Sequence, residues 1–529
     1  MRRKLSVCLS LLLVAALLSP VSALCASAAS RTPVINIEGE REIEVWKEDG
    51  THYSPTEDAA DAVVDEAVKE LVPLFLKAML TNNYDEWSRR ALEKLTPIYD
   101  EIRPYPDGSL PENTHPYFPP YGYGGATEVQ APGQVNFYYT YDWDFRRSPL
   151  DEADDLHHYI ELIKEKTGSD RVTLASRCGS TALAAAYIYK YGTEDIEKLI
   201  FTCPTLPGVS YADSLLSGNL FVSGSALYNY VSYGDALSSL NEKIGKFVTE
   251  LLYAMAQNGS IDDANVIISR AYGKIKDSFV APFLRSYYGI CGNYITDVGE
   301  HYEDYRDYVF PTQELKTEYA SILEKADEYH YNVQEKIEEL LTGAKNAGVS
   351  VNFIVTYGEP AGYPIGENSA KTGDELMDVT SQSLGATTGN YGETLSDSYI
   401  AERTDAGFGK YISPDKQIDA STGLFPDTTW FIKNIRHNFM VYRLHDLIRL
   451  IAWTDGMTVE TNPAYPQFLT IAGDDYQRLE PAQAVNENDV DSAPAPDMNG
   501  VSGFFARIIA FFVGIYVRIA KLFNSLSVG

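Results

Sequence analysis

The sequence predicts an α/β fold with a mostly parallel sheet flanked by helices. Short apolar segments recur at residues 32–38, 134–141, 171–175, 199–202 and 349–356, and each has the length and composition of a strand. Helical patterns separate most of these segments. Strands that alternate with helices in this way pair in parallel, because each crossover helix returns the chain to the same end of the sheet.

The elements before residue 170 follow from periodicity and from turn residues. Residues 32–38 alternate like a short strand and end at Gly39, and acidic helical segments follow at about 56–80 and 84–99. Residues 103–133 are rich in Pro, Tyr and Gly and predict a loop. After the strand at 134–141, apolar residues at helical spacing predict a helix that Gly168 ends, namely Leu156, Tyr159, Ile160 and Ile163.

The next stretch predicts a strand, a sharp turn and a helix in immediate succession. Residues 171–175 are apolar, residues 176–180 are Ser-Arg-Cys-Gly-Ser, and residues 181–191 are Ala-rich. A strand at 199–202 ends at Cys203-Pro204, and residues 211–346 are almost entirely helical in pattern.

Charge and composition limit the possible partners. The chain has 529 residues and a formal net charge of −31, from 43 basic and 74 acidic residues. Its hydrophobic fraction of 45% is that of a globular protein. The acidic excess argues against nucleic acid as a partner, because binding to phosphates needs a surplus of Lys and Arg.

The N-terminal segment has the pattern of a secretory signal peptide. Residues 2–4 are Arg-Arg-Lys, residues 5–18 are apolar, and the small residues Ala-Ser-Ala follow at 26–28. The apolar segment is too short for an ordinary spanning helix. We therefore predict a signal peptide over residues 1–28 and an extracellular or cell-surface location; the alternative is an uncleaved N-terminal anchor.

Removal of residues 1–28 would leave only Cys178, Cys203 and Cys291. Three cysteines form no disulfide framework, and at least one thiol stays unpaired within the chain. An unpaired thiol in an exported protein needs a reason.

The turn at residues 176–180 has features typical of a nucleophile elbow. Such an elbow holds one side chain in a strained conformation at a helix N-terminus, and the residues two positions before and after it must be small. Ser176 and Ser180 occupy those two positions, and Cys178 lies between them. The pattern favours Cys178 as a nucleophile, whereas a buried core cysteine is the alternative. Ser176 and Ser180 could themselves be nucleophiles, but they lie in the wrong frame of the elbow.

Further motifs follow one another in a defined order. They are Tyr141-Asp142-Trp143 with Arg146, Val172-Thr173-Leu174, Thr202-Cys203-Pro204 with Gly208, Tyr357-Gly358-Glu359-Pro360 with Gly373-Asp374, and Phe425-Pro426-Asp427 with Trp430, Arg436 and His437. Together they resemble the α/β-hydrolase family, and within it the lecithin:cholesterol acyltransferase and phospholipase-like lipase group. The matches are scattered from residue 32 to about 452. This chain departs from the family pattern by serines in place of both elbow glycines and by Glu375, where the family usually has Gly.

The resemblance implies a triad of Cys178 as nucleophile, Asp374 as acid and His437 as base. The base takes the proton of the nucleophile, and the acid fixes the imidazole tautomer and stabilises its cation. Asp378 is the alternative acid; both aspartates could instead be turn or cap residues, and His437 could be a partly exposed structural histidine.

An oxyanion hole needs two backbone N–H groups. We expect one from Gly179, directly after the nucleophile, and the other from Glu40, after the first strand. No metal and no cofactor is expected.

The remaining segments predict a cap, a linker and a membrane-associating helix. Within a hydrolase domain over 29–479, helical insertions at about 56–130 and 211–346 would cover the site. Residues 480–502 are polar and rich in Pro and Ala, which is typical of a flexible linker.

Residues 503–529 are apolar, aromatic and basic, and five residues at helical spacing form one narrow stripe: Arg507, Gly514, Arg518, Lys521 and Ser525. Only ten uncharged residues separate Arg507 from Arg518, fewer than the roughly 20 that a spanning helix needs. The pattern therefore favours an amphipathic helix lying on a membrane surface. The alternative is a helix docked on the acidic body of the protein itself.

These features together predict a secreted hydrolase or acyltransferase, of the esterase or lipase type, that acts on a lipid-like ester through a Cys-His-Asp triad. The alternative is a catalytically inactive hydrolase fold that serves as a surface binding protein. A cysteine peptidase would lack a supporting motif.

Overall fold

A computed structural model describes much of the chain. The described residues are 32–39, 45–47, 50, 52–53, 70–71, 73–75, 77–78, 81–116, 138–233, 242–437, 441–472, 478–484, 496, 498, 506–511 and 514. The predicted signal peptide and most of the predicted linker lie outside these residues, as does much of the predicted cap insertion at 56–130.

An eight-stranded sheet forms the centre of the molecule. Its strands are β1 (Val34–Ile37), β2 (Tyr138–Tyr141), β3 (Val172–Arg177), β4 (Ile196–Thr202), β5 (Ser350–Tyr357), β6 (Thr429–Lys433), β7 (Phe468–Ala472) and β8 (Arg478–Pro481). Across the sheet they follow the order β8-β7-β6-β5-β4-β3-β1-β2. Every pair of neighbours is parallel except β7 and β8. The predicted α/β architecture, a mostly parallel sheet flanked by helices, is confirmed.

Sixteen α-helices with defined bounds are found among the described residues, and ten of them lie between β4 and β5. They are α1 (Asp85–Leu95), α2 (Pro149–Thr167), α3 (Ser180–Tyr191), α4 (Ser210–Ser217), α5 (Gly224–Tyr233), α6 (Glu242–Gln257), α7 (Ser260–Ile275), α8 (Ala281–Arg285), α9 (Gly292–Thr296), α10 (Tyr302–Val309), α11 (Gln313–Glu318), α12 (Ala320–Tyr329), α13 (Ile337–Asn346), α14 (Val379–Gln382), α15 (Asp397–Asp405) and α16 (Val441–Trp453). The helical pattern predicted for residues 211–346 therefore agrees with the described part of that segment. Further helical residues lie at 70–71, 73–75, 77–78 and 506–511.

Different helices cover the two faces of the sheet. Alternate side chains of a strand point to opposite faces. Leu174 of β3 therefore packs with α2, α3 and α13, whereas its neighbour Ala175 packs with α16. Because both faces are covered, the central strands are apolar on both sides, which explains why they appear in the sequence as continuous apolar runs.

Two boundaries differ from the prediction. Strand β3 continues to Arg177, so Ser176 belongs to the strand and only two residues separate the strand from α3. The predicted start of the linker at residue 480 is wrong, because Glu480 and Pro481 belong to β8. This strand pairs antiparallel with β7 and buries Leu479, so it completes the edge of the sheet.

The helical insertion is held against the sheet by a close backbone crossing after β4. Gly208 has a φ of +103°, and a Cβ on Gly299 would lie 2.2 Å from the carbonyl oxygen of Pro207. The Val209 N–H donates to the carbonyl of Asp297 at 2.8 Å across the same crossing. Only a residue without a side chain fits at Gly299 unless the two segments move apart.

We predict opposite effects for two Gly→Ala substitutions. Gly299→Ala should destabilise the protein by roughly 1–3 kcal/mol, because overpacking at a backbone contact forces the chain apart. Gly343→Ala is the control: Gly343 lies within α13 with open space around the added Cβ, so the change should stabilise by about 1 kcal/mol through helix propensity. Guanidinium unfolding midpoints measure both effects. A Gly299→Ala protein as stable as the parent would contradict the crossing.

Candidate active site

Cys178 lies at the end of β3 in a strained backbone conformation. Its φ is +50°, in the left-handed region that residues with a side chain rarely adopt. The Cys178 N–H donates to the carbonyl of Thr202 at 3.1 Å, and its own carbonyl accepts from the Thr181 N–H at 3.0 Å. The turn is thus fixed both to the neighbouring strand and to the first turn of α3. A strained residue held by its surroundings is typical of a functional site.

The two elbow serines take part in structure. Ser180 is fully buried, and its Oγ lies 3.0 Å from the carbonyl of Ile37 and 2.8 Å from that of Arg177. The same Oγ accepts from the Arg177 N–H at 3.0 Å. The hydroxyl therefore joins the ends of β1 and β3 to the start of α3, and Ser176 is buried within β3. This geometry does not favour either serine as a nucleophile.

Asp374 and His437 form a buried pair at the same edge of the sheet. Asp374 lies in the loop after β5, and His437 follows β6 by four residues. His437 Nδ1 is 2.9 Å from Asp374 Oδ2, and the His437 N–H donates to the Asp374 carbonyl at 2.8 Å. A carboxylate accepts only, so the proton of this bond belongs to Nδ1. The tautomer inferred from this bond leaves Nε2 able to accept a proton.

The loop around Asp374 favours the charged form of its carboxyl. Oδ1 accepts from the N–H groups of Leu376 at 3.1 Å and Met377 at 2.8 Å, and Oδ2 accepts from Thr356 Oγ1 at 2.9 Å. Burial alone would raise the pKa of Asp374. The interaction with His437, followed by these hydrogen bonds, nevertheless holds that pKa below its usual value. The structure therefore supplies His437 with a charged partner.

Glu375 has a φ of +76°. It occupies the position where the α/β-hydrolase family, which the sequence motifs resemble, usually has Gly. The position thus needs a left-handed backbone, which a glycine adopts without strain. Here the glutamate adopts it, and its Oε1 lies 3.3 Å from Arg436 Nε, one residue before His437.

Asp378, the alternative acid, is the N-cap of α14. Its carboxylate accepts from the Ser381 N–H at 2.9 Å and from the Ser381 hydroxyl at 2.7 Å. Burial raises the pKa of Asp378, although these bonds oppose the shift. This arrangement is that of a helix cap, which satisfies backbone groups at the helix start.

The elbow and the acid loop share one apolar cluster. Cys178, only 7% exposed, belongs to a cluster that also contains Val209, Ala212, Leu376 and Met377. The N–H groups of the last two hold Asp374, so packing against the elbow also orders the acid.

A small cavity of about 10 Å³, room for about one water molecule, adjoins this cluster and is lined in part by Val209, Leu376 and Met377. Tyr211 and Tyr363 also line it, with ring centroids 4.8 Å apart in an edge-to-face contact.

Cys203 also lies at the site, although the sequence analysis named it only within the Thr202-Cys203-Pro204 motif and as one of three cysteines. It directly follows β4, is fully buried and has a φ of +46°. Its Sγ lies 3.0 Å from Thr356 Oγ1 and within 4.8 Å of both the Asp374 carboxylate and the His437 ring. Burial, and then the charge of Asp374, raise the pKa of this thiol well above its ordinary value. Cys203 therefore remains a neutral thiol beside the acid.

The sulfur, carboxylate and imidazole of Cys203, Asp374 and His437 are donor types that also bind Zn²⁺. However, Asp374 and His437 use their facing atoms for the hydrogen bond to each other. The arrangement suits an acid–base pair better than a metal site.

Of the two residues expected to supply the oxyanion hole, the structure describes Gly179 but not Glu40. Gly179 is the N-cap residue of α3, directly after Cys178. Ile37 of β1 pairs in register with Ser176, so the chain that follows β1 leaves the sheet beside the elbow. Glu40 lies outside the described residues, so the second predicted donor stays a prediction.

No protein-family model matches the chain, and no curated protein matches it in sequence. Its class is therefore argued from the fold and the geometry of the site.

The three cysteines outside the predicted signal peptide should differ in reactivity. Cys203 and Cys291 are fully buried, and burial also raises the pKa of Cys291. Because alkylation needs an accessible thiolate, we expect iodoacetamide to label Cys178 first in the native protein and the other two only after unfolding. Peptide mass spectrometry measures the three rates. Equal rates for Cys203 and Cys178 would contradict the described site.

Proposed function

We propose that this protein is an α/β-hydrolase-type enzyme that hydrolyses or transfers the acyl group of an apolar ester, with Cys178 as nucleophile, His437 as base and Asp374 as acid. The observation that carries the proposal is the 2.9 Å bond from His437 Nδ1 to Asp374 Oδ2. This bond lies at the same sheet edge as the left-handed elbow of Cys178. In open α/β sheets, ligands bind beyond the carboxyl ends of the strands, where these residues lie.

The chemistry divides into two acyl-transfer steps. His437 Nε2 accepts the thiol proton, and the Cys178 sulfur attacks the ester carbonyl carbon. The negative oxygen of the tetrahedral intermediate would accept hydrogen bonds from the Gly179 N–H and a second backbone donor. The C–O bond then breaks, and the alcohol leaves with the proton from His437. Water or a second alcohol gives its proton to His437, attacks the thioester and releases the thiol.

The apolar cluster beside the elbow supports an apolar acyl group as the part of the substrate that is held, because Cys178 packs there with Val209, Leu376 and Met377. Tyr211 and Tyr363 line the small cavity next to this cluster. Tyr363 is partly exposed. Aromatic side chains with a polar end suit the boundary between an apolar pocket and water.

We predict that Cys178→Ala lowers ester hydrolysis by roughly a thousandfold or more, because it removes the nucleophile. Cys178→Ser should keep some activity, since His437 can also activate a hydroxyl. Steady-state rates on a panel of p-nitrophenyl esters measure both. Equal activity of the parent and Cys178→Ala would leave the alternative, an inactive hydrolase fold that serves as a binding protein.

The two neighbouring aspartates provide a matched control for the same prediction. Asp374→Asn should lower kcat by about 10⁴, because the amide no longer holds the required imidazole tautomer. Asp378→Asn should leave kcat within about threefold, since this side chain caps α14. The reverse ranking would refute Asp374 as the acid.

The C-terminal helix has two different sides where the structure describes it. Ala506 and Ala510 are buried, and the Ala510 carbonyl accepts from Asn258 Nδ2 at 3.1 Å. A Cβ on Gly514 would lie 2.8 Å from Ser260 Oγ. Small residues thus dock this helix on the turn between α6 and α7. This contact agrees with the alternative given above, a helix that docks on the body of the protein. Gly514, one member of the predicted stripe, therefore lies against the body of the protein, and the membrane contact of the segment stays a prediction.

The opposite side of this helix leaves apolar side chains in solvent. Phe511 is 61% exposed and Ile509 is 39% exposed, and Arg507 is also on the surface. Within the described part of the chain, no helix is both long and apolar enough to cross a membrane. We propose that the docked helix presents these apolar side chains and Arg507 to a lipid surface.

We expect a chain ending at Gly500 to lose sedimentation with anionic vesicles but to keep activity on water-soluble esters. Phe511→Ser should weaken vesicle binding about tenfold, because a buried Phe contributes roughly 2 kcal/mol. Phe408→Ser, at another exposed phenylalanine, is the control and should not change binding. Vesicle binding unaffected by the truncation would contradict the proposed membrane contact.

A further inference from the structure

A cavity of about 440 Å³ opens to solvent within the helical insertion. Ser214 of α4, Lys276 directly after α7 and His301 directly before α10 contribute to its lining. Its lining residues are different from those of the apolar cluster around Cys178, so the cavity is separate from the proposed active site. A volume of this size is typical of sites that bind small molecules.

A buried carboxylate fixes the imidazole of His301 at this cavity. Asp213 Oδ1 accepts from the N–H groups of Gly299 at 2.9 Å and His301 at 3.1 Å, and Asp213 Oδ2 lies 2.5 Å from His301 Nδ1. Because a carboxylate only accepts, the proton of the last bond belongs to Nδ1. His301 Nε2 makes no hydrogen bond within the described part of the chain. This ring nitrogen is therefore available to a ligand.

The cavity lining is basic, although the chain as a whole has a net charge of −31. Among the described residues that line it, Lys276 and His301 are basic and none is acidic. The hydrogen bond to Asp213 raises the pKa of His301; burial opposes this shift, and the negative charges of Asp213, Glu300 and Asp304 support it. Lys276 forms no ion pair with any residue that the structure describes. Two cationic groups thus favour an anion in the cavity.

Apolar side chains form another part of the lining, namely Leu220, Phe221 and Tyr272. Phe221 is 45% exposed, so a ligand that covered it would remove apolar surface from water. The Tyr272 hydroxyl donates to the Tyr308 hydroxyl at 2.5 Å, so its proton is already used within the protein. The lining therefore combines cationic donors with apolar surface.

We infer that this cavity is a binding site for a small organic acid with an apolar tail, whose carboxylate is held by His301 and Lys276. Hydrogen bonds from charged N–H donors to a carboxylate are among the strongest in proteins. Ser214 adds a hydroxyl to the same lining, and the tail would cover Leu220 and Phe221. The inference does not depend on the proposed function.

Titration calorimetry with three small molecules tests both parts of this recognition in the full-length protein. Octanoate should bind. Octanol has the tail without the charge and acetate has the charge without the tail, so each should bind at least tenfold more weakly. Octanol or acetate binding as tightly as octanoate would overturn the inference.

Two substitutions test the basic residues. Lys276→Met should weaken octanoate binding about tenfold, the effect of losing one charge-assisted hydrogen bond. Lys274→Met is the matched control, because Lys274 is exposed near the end of the same helix and does not line the cavity. His301→Gln should also weaken binding about tenfold. Octanoate affinity unchanged by both Lys276→Met and His301→Gln would overturn the inference.

The pH dependence of binding provides a second readout of His301. The raised pKa keeps the ring charged to a higher pH than in an ordinary histidine. Octanoate affinity in the parent should therefore fall as the pH rises through the His301 pKa, and this fall should be absent in His301→Gln. The same fall in His301→Gln would contradict the assigned role of His301.

Alkylation of Cys178 separates the inference from the proposed function, because octanoate resembles the acid that ester hydrolysis would release. Octanoate bound in the cavity should not slow the reaction of Cys178 with iodoacetamide. Protection of Cys178, with binding unchanged in Lys276→Met, would place octanoate at the elbow and overturn the inference. If the parent hydrolyses no ester but octanoate binding depends on Lys276 and His301, the proposed function fails and the inference stands.

Discussion

Two backbone hydrogen bonds carry the parallel ladder one residue past the ends of β3 and β4. The Cys178 N–H donates to Thr202, and the Cys203 N–H donates to Ile354. Both cysteines have left-handed backbones, so the chain turns out of the sheet at these points while its backbone groups stay paired. The elbow, the position of Cys203 beside the acid and the start of the helical insertion all depend on this extension. If the ladder stopped one residue earlier, Cys178 would lose its fixed direction.

The chain carries a large negative charge, yet the charge that matters for the proposed chemistry is isolated from the rest. Asp374 is fully buried, and its carboxylate accepts from the N–H groups of Leu376 and Met377, the Thr356 hydroxyl and His437. A buried carboxylate is costly unless it is paired and hydrogen-bonded. The same bonds that meet this cost also fix the orientation of the imidazole. The hydrogen bonds that stabilise the acid loop are therefore the same ones that orient His437 for the proposed chemistry.

Local sequence patterns predicted the structural features that depend only on residues close together in the chain. The strand, turn and helix around Cys178 follow from a short apolar run, small residues and an Ala-rich segment. The pairing of Asp374 with His437 came from motif order along the chain, and the structure brings these two side chains together. The contact between Cys203 and Thr356 was not predictable, because it depends on the register of β4 with β5. The structural role of the Ser180 hydroxyl was missed for a similar reason, since it donates to the carbonyl of Ile37, a residue distant in sequence. Docking of the C-terminal helix on the protein body was the alternative prediction, but Ala510 was not singled out, because small residues look neutral in an apolar segment.

The helical insertion between β4 and β5 has a consequence for how the molecule is made. Lys198 pairs with Ser350, so the two central strands can join only after the ten helices between them have been synthesised. β1 and β3 are likewise paired across a long stretch of chain. Such non-local pairing slows folding, because loop-closure entropy must be overcome before the contacts form. Until then the apolar edge of β4 is open to other chains. The insertion therefore makes the growing chain vulnerable to aggregation, and we expect its yield to depend on chaperones that shield this edge.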